Sequence, residues 1–407
     1  MLKKQVLFIS NGTGEDLNAS LILQSLVKIV PQINIVAMAL VGLGNTYQSL
    51  GIPLVGPRQI LPSGGIFYTH FFNLVKDLVS GLVGLTLRQL QFLLNYRHNC
   101  DFCIAVGDIF PVTMAYLTNR PFVAFLVSTS SYYEGKLRLP GLTQWCLRSH
   151  RCLAVFTRDV FTAEDLQQQG MTKAVFAGYP ILDVLSPIGN DLNLNPKIPT
   201  IALLPGSRLP EALHNLTLQL KVCEAISELE IVQFRVPLVS SIREEELETI
   251  AKKQGWHYQS PGIFSKIKQN QTIVVKCYWN AFADILQQCD LVLGMAGTAV
   301  EQAVGLGKPI VQLPGYGPQF TYGFAEAQRR LLGISVQTIG KTPNNPTLFT
   351  DAAHTIQTIL KNPQYLEECL ENGRQRVGQK GGSDSLANAI AQLLLSQHFT
   401  RANKNMD

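Results

Sequence analysis

A glycine, a hydroxyl and a guanidinium follow one another where an apolar run ends. The segment LLPGSRLPEAL runs from Leu203 to Leu213 and places Gly206, Ser207 and Arg208 just after that run. Backbone N–H groups of a glycine turn and a serine hydroxyl bind phosphate oxygens, and an arginine holds two oxygens at once. These residue types therefore favour the binding of an anion, most often a phosphate. The alternative is a Pro-Gly turn that carries a surface arginine.

A second turn of small residues follows a later apolar run, LVLGM. Ala296, Gly297 and Thr298 precede a helix-like segment, and the N-terminus of a helix is a ready anion site. Glu301 lies one turn into that helix, where an acid is placed to bind the two hydroxyls of a ribose, as acids do in dinucleotide-binding folds. The loop GYGPQ, which ends at Gln319, is within reach of a sugar. This second turn favours the phosphate interpretation of the first.

The segment FISNGTGEDLNAS near the N-terminus has two glycines followed by two acids. Gly12 and Gly14 permit a tight turn and a close backbone approach, and Glu15 and Asp16 fall in the first turn of the next helix. One interpretation is an acceptor or phosphate contact beside an acidic base; the other is a plain strand-to-helix turn. Asp108 follows the buried run AVGD, where it is either a general base or the N-cap of a helix.

Apolar strand-like runs alternate with helical patterns along most of the chain, which predicts parallel sheets covered on both faces. The stretch SPIGNDLNLNPKIP, rich in Pro, Asn, Gly and Asp, predicts a linker over 186–199. We therefore predict two doubly wound domains, 1–185 and 200–380, with a helix over 381–407. Two such domains that face each other make a cleft. The glycine-rich turns all fall at strand ends, where such sheets bind ligands.

The composition bounds the class of protein. With 46% apolar and 15% charged residues the chain is globular, and its net charge of +5 is too mild to argue for nucleic acid but suits an acidic ligand or an anionic membrane surface. Of eight cysteines, Cys100 and Cys103 form one CxxC without a second pair, so we expect structural thiols in a reducing cytoplasm and no metal site.

The segment from 64 to 97 is apolar over a very wide arc, with its polar residues on a narrow stripe. A helix of this kind is either fully buried or lies against lipid, where Lys76, Arg88 and Arg97 would meet anionic head groups. The N-terminus lacks the features of a signal peptide, and no run of about 20 uninterrupted apolar residues predicts a transmembrane helix.

Three motifs resemble the lipid-A-disaccharide synthase family of glycosyltransferases: LLPGSRLPE, FAGYPILDVL and GMAGTAVEQAVGLGKP. They occur in the family's order, and the resemblance is strongest from about 151 to 319. More distantly, GTGEDLNAS and GTAVEQ resemble the peptidoglycan and galactolipid glycosyltransferases. The resemblance implies the GT-B fold, in which the second of two Rossmann-like domains holds a UDP-sugar, the first holds the acceptor and the last helix packs back onto the first. It also implies that no cofactor or metal is needed.

The resemblance further implies roles for individual residues. Contacts to the donor diphosphate and ribose would come from Gly206, Ser207, Arg208, Gly297, Thr298 and Glu301. The family's essential Asp lies in a loop that matches VGDIF, so Asp108 is the first candidate for the base. Asp16 is the second, because it stands where the related GGTGGH turn has a His. The family's DAPDFN is shortened here to GDIFPV, and Gln302 stands where the family has Glu.

We expect an inverting glycosyltransferase that moves a hexose or N-acetylhexosamine from a UDP-sugar to a lipid-linked acceptor. It would be cytoplasmic and peripheral on the inner face of the plasma membrane, with membrane contact through about 64–97. A homodimer is possible. The first alternative is the true lipid-A-disaccharide synthase. The second is a UDP-sugar epimerase or hydrolase on soluble substrates, and the third is a binding protein without catalysis.

Overall fold

A computed structural model of the chain describes residues 4–59, 82–317 and 320–403. Its strands are β1 (Gln5–Ser10), β2 (Asn34–Ala39), β3 (Phe102–Val106), β4 (Phe122–Leu126), β5 (Cys152–Thr157), β6 (Ala174–Phe176), β7 (Thr200–Leu204), β8 (Gln233–Leu238), β9 (His257–Gln259), β10 (Ile263–Lys268), β11 (Gln271–Trp279), β12 (Leu291–Gly294), β13 (Ile310–Gln312) and β14 (Val336–Thr338).

The helices alternate with these strands. They are α1 (Thr13–Ile29), α2 (Asn45–Ser49), α3 (Leu82–Tyr96), α4 (Ile109–Leu117), α5 (Gly141–Arg148), α6 (Val160–Gln168), α7 (Glu211–Ile226), α8 (Glu244–Gln254), α9 (Phe282–Gln288), α10 (Thr298–Gly305), α11 (Tyr322–Leu332), α12 (Leu348–Leu360), α13 (Pro363–Arg376) and α14 (Gly382–Asn403). The prediction of two parallel α/β domains is confirmed.

The chain divides into two compact units. Unit 1 comprises 1–184 together with 378–407, and unit 2 comprises 185–377. The stretch 186–199, predicted as a linker, falls in unit 2, where the Asp284 carboxylate accepts hydrogen bonds from the backbone N–H groups of Gly189 and Asn190. The C-terminal helix α14 belongs to unit 1 and packs against α1.

Unit 1 is built on a parallel sheet with the order β2-β1-β3-β4-β5-β6. Its central strands are continuous apolar runs because helices cover both faces of a parallel sheet, and every residue of β3 and β4 is buried. Two thiols of this core, Cys100 and Cys103, lie 4.0 Å apart at the start of β3.

Unit 2 is built on a larger sheet with the order β14-β13-β12-β7-β8-β11-β10-β9. Six of these strands run parallel, whereas β9 and β10 extend the edge as antiparallel strands that the sequence analysis did not foresee. The turn between β10 and β11 consists of Gln269 and Asn270, both with positive φ, at +48° and +62°. Two such residues make the two-residue hairpin turn that matches the twist of the flanking strands.

Candidate functional site

The strand order of unit 1 reverses at β1, which lies between β2 and β3. In open α/β sheets a ligand binds beyond the carboxyl ends of the strands at such a switch point. The loops that leave β1 and β3 there carry Asn11 and Gly12 on one side and Gly107 and Asp108 on the other. The acidic residues predicted from the sequence therefore meet at one edge of this sheet.

Asp108 is the N-cap of α4, and its carboxylate Oδ1 accepts a hydrogen bond from the Phe110 N–H at 3.0 Å. The Asn11 side-chain amide donates to both carboxylate oxygens at 3.1 Å. Gly107 has a φ of +139°, and a Cβ there would lie 3.3 Å from Glu15 Cγ, so this loop requires glycine. Asp108 is thus a helix cap, the alternative that the sequence left open, and it also faces the loop after β1.

Asp16 lies in the first turn of α1 and is 4% exposed. Its Oδ1 accepts a hydrogen bond from the Ser10 hydroxyl at 2.6 Å, and Ser10 Oγ also lies 2.6 Å from the Tyr47 hydroxyl. Burial raises the pKa of the Asp16 carboxyl to about 7, and the neighbouring Glu15 adds to this rise, although the Ser10 hydrogen bond opposes it. A carboxyl of this kind changes charge near neutral pH.

The other predicted residues of this loop surround the two acids. The Glu15 carboxylate accepts a hydrogen bond from the Ser128 hydroxyl at 2.5 Å. Gly12 precedes α1 with a φ of +127°, which explains the glycine by backbone conformation. A Cβ at Gly14 would meet no atom within 4 Å, so the packing of the protein does not itself require glycine at this position.

The strand order of unit 2 reverses between β7 and β12, which pair in parallel with Leu204 opposite Gly294. Both predicted phosphate turns leave the sheet at this point. They lie side by side, since a Cβ at Gly206 would stand 3.2 Å from the Met295 carbonyl oxygen. The φ of Gly206 is +100°, a conformation that favours glycine. The first turn then presents Ser207 and Arg208, both exposed, before α7 begins.

The second turn is held from behind by a side chain that the sequence analysis missed. The Gln328 amide on α11 donates to the carbonyl oxygens of Ala296 and Gly297, at 3.2 Å and 3.1 Å. Gly297 is the N-cap of α10 and Thr298 is its first residue. A Cβ at Gly297 would meet no atom within 4 Å, as at Gly14 in the other unit. No local motif marks Gln328, which lies 31 residues after Gly297.

Two neighbouring residues of α10 differ in exposure. Glu301 is half-buried, whereas Gln302 is 4% exposed. The acid that the sequence predicted as a ribose contact therefore lies on the more accessible side of the helix.

The loop from Gly315 to Gly317 approaches both turns. A Cβ at Gly315 would lie 2.6 Å from Met295 Cε, and one at Gly317 would lie 2.7 Å from Glu211 Cγ at the start of α7. The Tyr316 hydroxyl donates to Asn344 Oδ1 at 3.1 Å, which holds the loop from the other side. Gln319, which the sequence also placed in this loop, lies outside the described residues.

The apolar segment predicted over 64–97 is described from 82 onward, and 64–81 lie outside the described residues. The described part is mostly α3, on which Val83 and Leu87 are exposed while Leu85 and Leu93 are buried. Among the helices of the described residues, none combines the length and the apolar character that crossing a bilayer requires.

The sequence of this chain is similar to those of several lipid-A-disaccharide synthases. No family model matches the chain. The lipid-A-disaccharide synthase of Syntrophus aciditrophicus is 28% identical over 241 residues, which cover 55% of this chain and 58% of that enzyme. The lipid-A-disaccharide synthase of Geobacter metallireducens is 21% identical over 96% of this chain and 97% of that enzyme. The first match thus spans little more than half of the relative's length.

Solved structures show the same fold over nearly the whole chain. The calicheamicin glycosyltransferase CalG4 has a TM-score of 0.63 at 12% identity and covers 97% of this chain and 98% of its own. The spinosyn rhamnosyltransferase SpnG, complexed with spinosyn aglycone, has a TM-score of 0.56 at 14% identity. The match covers 95% of this chain and 99% of SpnG. The UDP-GlcNAc 2-epimerase of Neisseria meningitidis, bound to UDP-GlcNAc, has a TM-score of 0.51 at 14% identity. The match covers 96% of this chain and 100% of the epimerase.

The protein has the GT-B fold, which these glycosyltransferases and epimerases share. Its sequence is related, at weak identity, to the lipid-A-disaccharide synthases, and the resemblance predicted from the three motifs is confirmed.

Proposed function

We propose that this protein is an inverting glycosyltransferase that moves a sugar from a UDP-sugar to a lipid-linked acceptor at the inner face of the plasma membrane. The observation that carries the donor half is the meeting of three glycine-containing loops at the switch point of unit 2. One of these loops presents Ser207 and Arg208, and another begins α10. Relationship to the lipid-A-disaccharide synthases and a fold shared with glycosyltransferases support the reaction class.

The donor diphosphate would lie between the two adjacent turns. Arg208 supplies a cation with two parallel N–H donors, and Gly297 and Thr298 supply the positive end of α10. Glu301, one turn into α10, accepts from the ribose hydroxyls. These groups stabilise the negative charge that grows on the departing UDP, which is the largest electrostatic demand of the reaction.

The acceptor hydroxyl attacks C1 of the sugar while the bond between C1 and the phosphate oxygen breaks. The electron pair of that bond leaves with UDP, and the proton of the hydroxyl passes to a carboxylate of unit 1. We assign this proton to Asp16 because a base works best when its pKa is near the working pH. Asp108, whose carboxylate already accepts from Asn11 and Phe110, orients the loop after β3 and the acceptor beside it.

A small cavity lies beside these acids, with a volume of about 20 Å³, which is room for about one water molecule. It is bordered by Asn11, which holds Asp108, and its other walls are mostly apolar. The lining residues are Asn11, Leu40, Val41, Thr86, Gln89, Phe110 and Met114. The exposed apolar residues of α3 support the membrane contact proposed over 64–97.

The donor half is tested by calorimetry of UDP binding. We expect wild-type protein to bind UDP and Arg208→Ala to lose at least about tenfold in affinity, because a charge-assisted hydrogen bond is worth about 1.5–3 kcal/mol. Arg374→Ala is the matched control, since Arg374 is an exposed arginine of unit 2 paired with Glu371. Equal affinity of the wild type and Arg208→Ala would overturn the assignment of the first turn.

The acceptor half is tested by transfer assays with Asp16→Asn and Asp108→Asn. If Asp16 is the base, Asp16→Asn abolishes turnover at every pH, whereas Asp108→Asn keeps a pH dependence near 7. The reverse result moves the base to Asp108. Release of free sugar or an epimer without any acceptor would favour the epimerase or hydrolase alternative. Activity on a UDP-diacylglucosamine donor would identify the true lipid-A-disaccharide synthase.

A further inference from the structure

A surface of unit 1 combines exposed apolar and basic side chains next to the helix that Asp108 caps. It is formed by α5 and the segment before it, and we call it the α5 surface: Lys136, Arg138, Leu142, Trp145 and Arg148. All five side chains are exposed, with Leu142 at 51% and Trp145 at 59%. Single exposed apolar residues are ordinary on a soluble protein, so the combination is what requires an explanation.

Trp145 packs on a neighbouring helix although it is exposed. Its ring packs on Tyr116 of α4 with a centroid distance of 4.6 Å, and the Arg151 guanidinium covers the same tyrosine at 4.1 Å. Trp256 and Trp279, the other two tryptophans, donate their indole N–H groups to the Glu224 carboxylate and the Ile242 carbonyl. Trp145 is thus the exposed one of the three tryptophans.

Three of the five side chains of the α5 surface are basic: Lys136, Arg138 and Arg148. From residue 82 to residue 151 the sequence has seven Lys or Arg against three Asp or Glu, which is four of the chain's five net positive charges. Of the three acids, Asp108 is buried beneath Asn11. An exposed tryptophan and leucine within a field of arginine and lysine match the chemistry of an anionic bilayer, in which aromatic rings lie at head-group depth and basic side chains meet lipid phosphates.

We propose that the α5 surface docks on an anionic phospholipid bilayer. The inference rests on the proposed function for its purpose, because a lipid-linked acceptor has to be taken from a membrane. The geometry connects the two: Tyr116 lies eight positions after Asp108 along α4, an axial rise of about 12 Å at 1.5 Å per residue. Trp145, packed on Tyr116, thus lies at one end of the helix whose other end is capped by Asp108.

The α5 surface consists of other residues than the contact proposed over 64–97. A bilayer that meets α5 touches Leu142 and Trp145 directly, whatever its contact with the preceding segment. The basic residues would supply about 1 kcal/mol each at low salt, so removing one weakens binding about fivefold. A protein partner of the same surface would show no dependence on lipid charge.

The test uses the full chain and vesicles of phosphatidylcholine with and without phosphatidylglycerol. We expect the wild type to sediment with anionic vesicles at low salt, much less with neutral ones, and to release as salt rises. Leu142→Ser/Trp145→Ser should lower the affinity by roughly tenfold or more. Arg138→Gln/Arg148→Gln should lower it by roughly 30-fold, because two charges are lost.

Matched controls remove similar groups from unit 2. Ile267→Ser removes an apolar side chain that is 77% exposed, and Lys252→Gln/Lys253→Gln removes two exposed charges. These variants should bind vesicles as the wild type does. Equal loss in the controls and the α5 variants, or no loss in either, would overturn the proposal.

A second measurement uses the wild type together with one conservative variant. In the wild type, brominated acyl chains should quench the fluorescence of Trp145, and Trp145→Phe, which keeps an aromatic ring against Tyr116, should abolish that quenching. No quenching on bound vesicles overturns the α5 surface. UDP binding, measured on the same samples, reports separately on the proposed function: a protein that binds UDP but ignores anionic vesicles overturns only the docking surface.

Discussion

Two carboxylates follow neighbouring strands of the unit 1 sheet, and their hydrogen-bond partners give them different chemistry. Asp108 accepts from the Asn11 amide and the Phe110 backbone N–H, which fixes the position of its carboxylate. Asp16 is buried with one hydroxyl donor, Ser10, and it lies beside another acid. A pair of acids in unlike surroundings is a common way to obtain one base and one positioning group.

The pH dependence of turnover should follow Asp16. Because the base must be ionised, kcat/KM should rise with pH through about 7 in the wild type. Ser10→Ala removes the donor that lowers the pKa of Asp16, so the rise should move to higher pH. Tyr47→Phe, which removes the hydroxyl beside Ser10, should shift the profile in the same direction by less. Profiles that coincide for all three proteins would exclude this carboxyl as the titrating base.

The buried Asp16 carboxyl should also lower the free energy of unfolding at neutral pH. Its pKa is raised in the folded state, so between about pH 4 and pH 7 the folded state holds a proton that the unfolded state has lost. The contribution of this group therefore falls as pH rises through that window. We expect Asp16→Asn to increase the free energy of unfolding at pH 8 by an amount on the order of 1–3 kcal/mol, and to have little effect at pH 4. Urea denaturation at the two pH values checks this.

At the level of single residues, the sequence shows which residues could carry the chemistry. It does not show which side chains form hydrogen bonds to them. Asp16 and Asp108 were identifiable because each follows an apolar run. Asn11, Ser10 and Tyr47 were not, because their importance comes from partners 6 to 97 residues away. A hydrogen bond between separate loops leaves no periodicity or spacing in the sequence.

Among the elements, the second predicted phosphate turn is held by a helix that does not follow it directly. Gln328 on α11 donates to two carbonyl oxygens of that turn. Each bond contributes about 0.5–1.5 kcal/mol net, so Gln328→Ala should weaken UDP binding by roughly tenfold while the fold is kept. Gln375→Ala is the control, because Gln375 is exposed on α13 and its amide donates to the Glu371 carboxylate. Unchanged UDP affinity in Gln328→Ala would remove this support from the site.

The start of α14 is fixed by one carboxylate. Asp183 accepts from the backbone N–H groups of Gly381 and Ser383, at 2.6 Å and 2.7 Å, and from the Ser383 hydroxyl. We expect Asp183→Ala to lower the free energy of unfolding by about 2 kcal/mol, the upper range for the loss of a helix cap. Asp384→Ala, at an exposed acid in the first turn of the same helix, should cost much less. Chemical denaturation of the two variants makes the comparison.

The order of strands and helices was predictable from apolar runs and glycine turns, because a parallel sheet buries its strands on both sides. The antiparallel edge formed by β9 and β10 was not, because their residues are only partly apolar and the hairpin turn uses Gln269 and Asn270 rather than glycine. The adjacency of the two predicted phosphate turns follows from the strand order, which a sequence does not state.

On the scale of the whole molecule, the two units differ in how the chain forms them. Unit 2 is one continuous stretch, 185–377, whereas unit 1 is completed by residues that follow it. A fragment of 185–377 should therefore fold and bind UDP with an affinity near that of the full chain. A fragment of 1–184 should not reach a stable fold, because α1 loses the helix α14 that packs on it. Circular dichroism, thermal melting and calorimetry of the two fragments test this difference.

The return of the chain to unit 1 has a consequence during synthesis on the ribosome. The six strands of unit 1 emerge first, yet α14, which covers α1, is translated only after the whole of unit 2. At elongation rates of about 5–20 residues per second, the nearly 200 residues of unit 2 delay that helix by tens of seconds or less. During this interval the apolar face of α1 is open to the cell, so the nascent chain is a natural client for a chaperone until its last helix arrives.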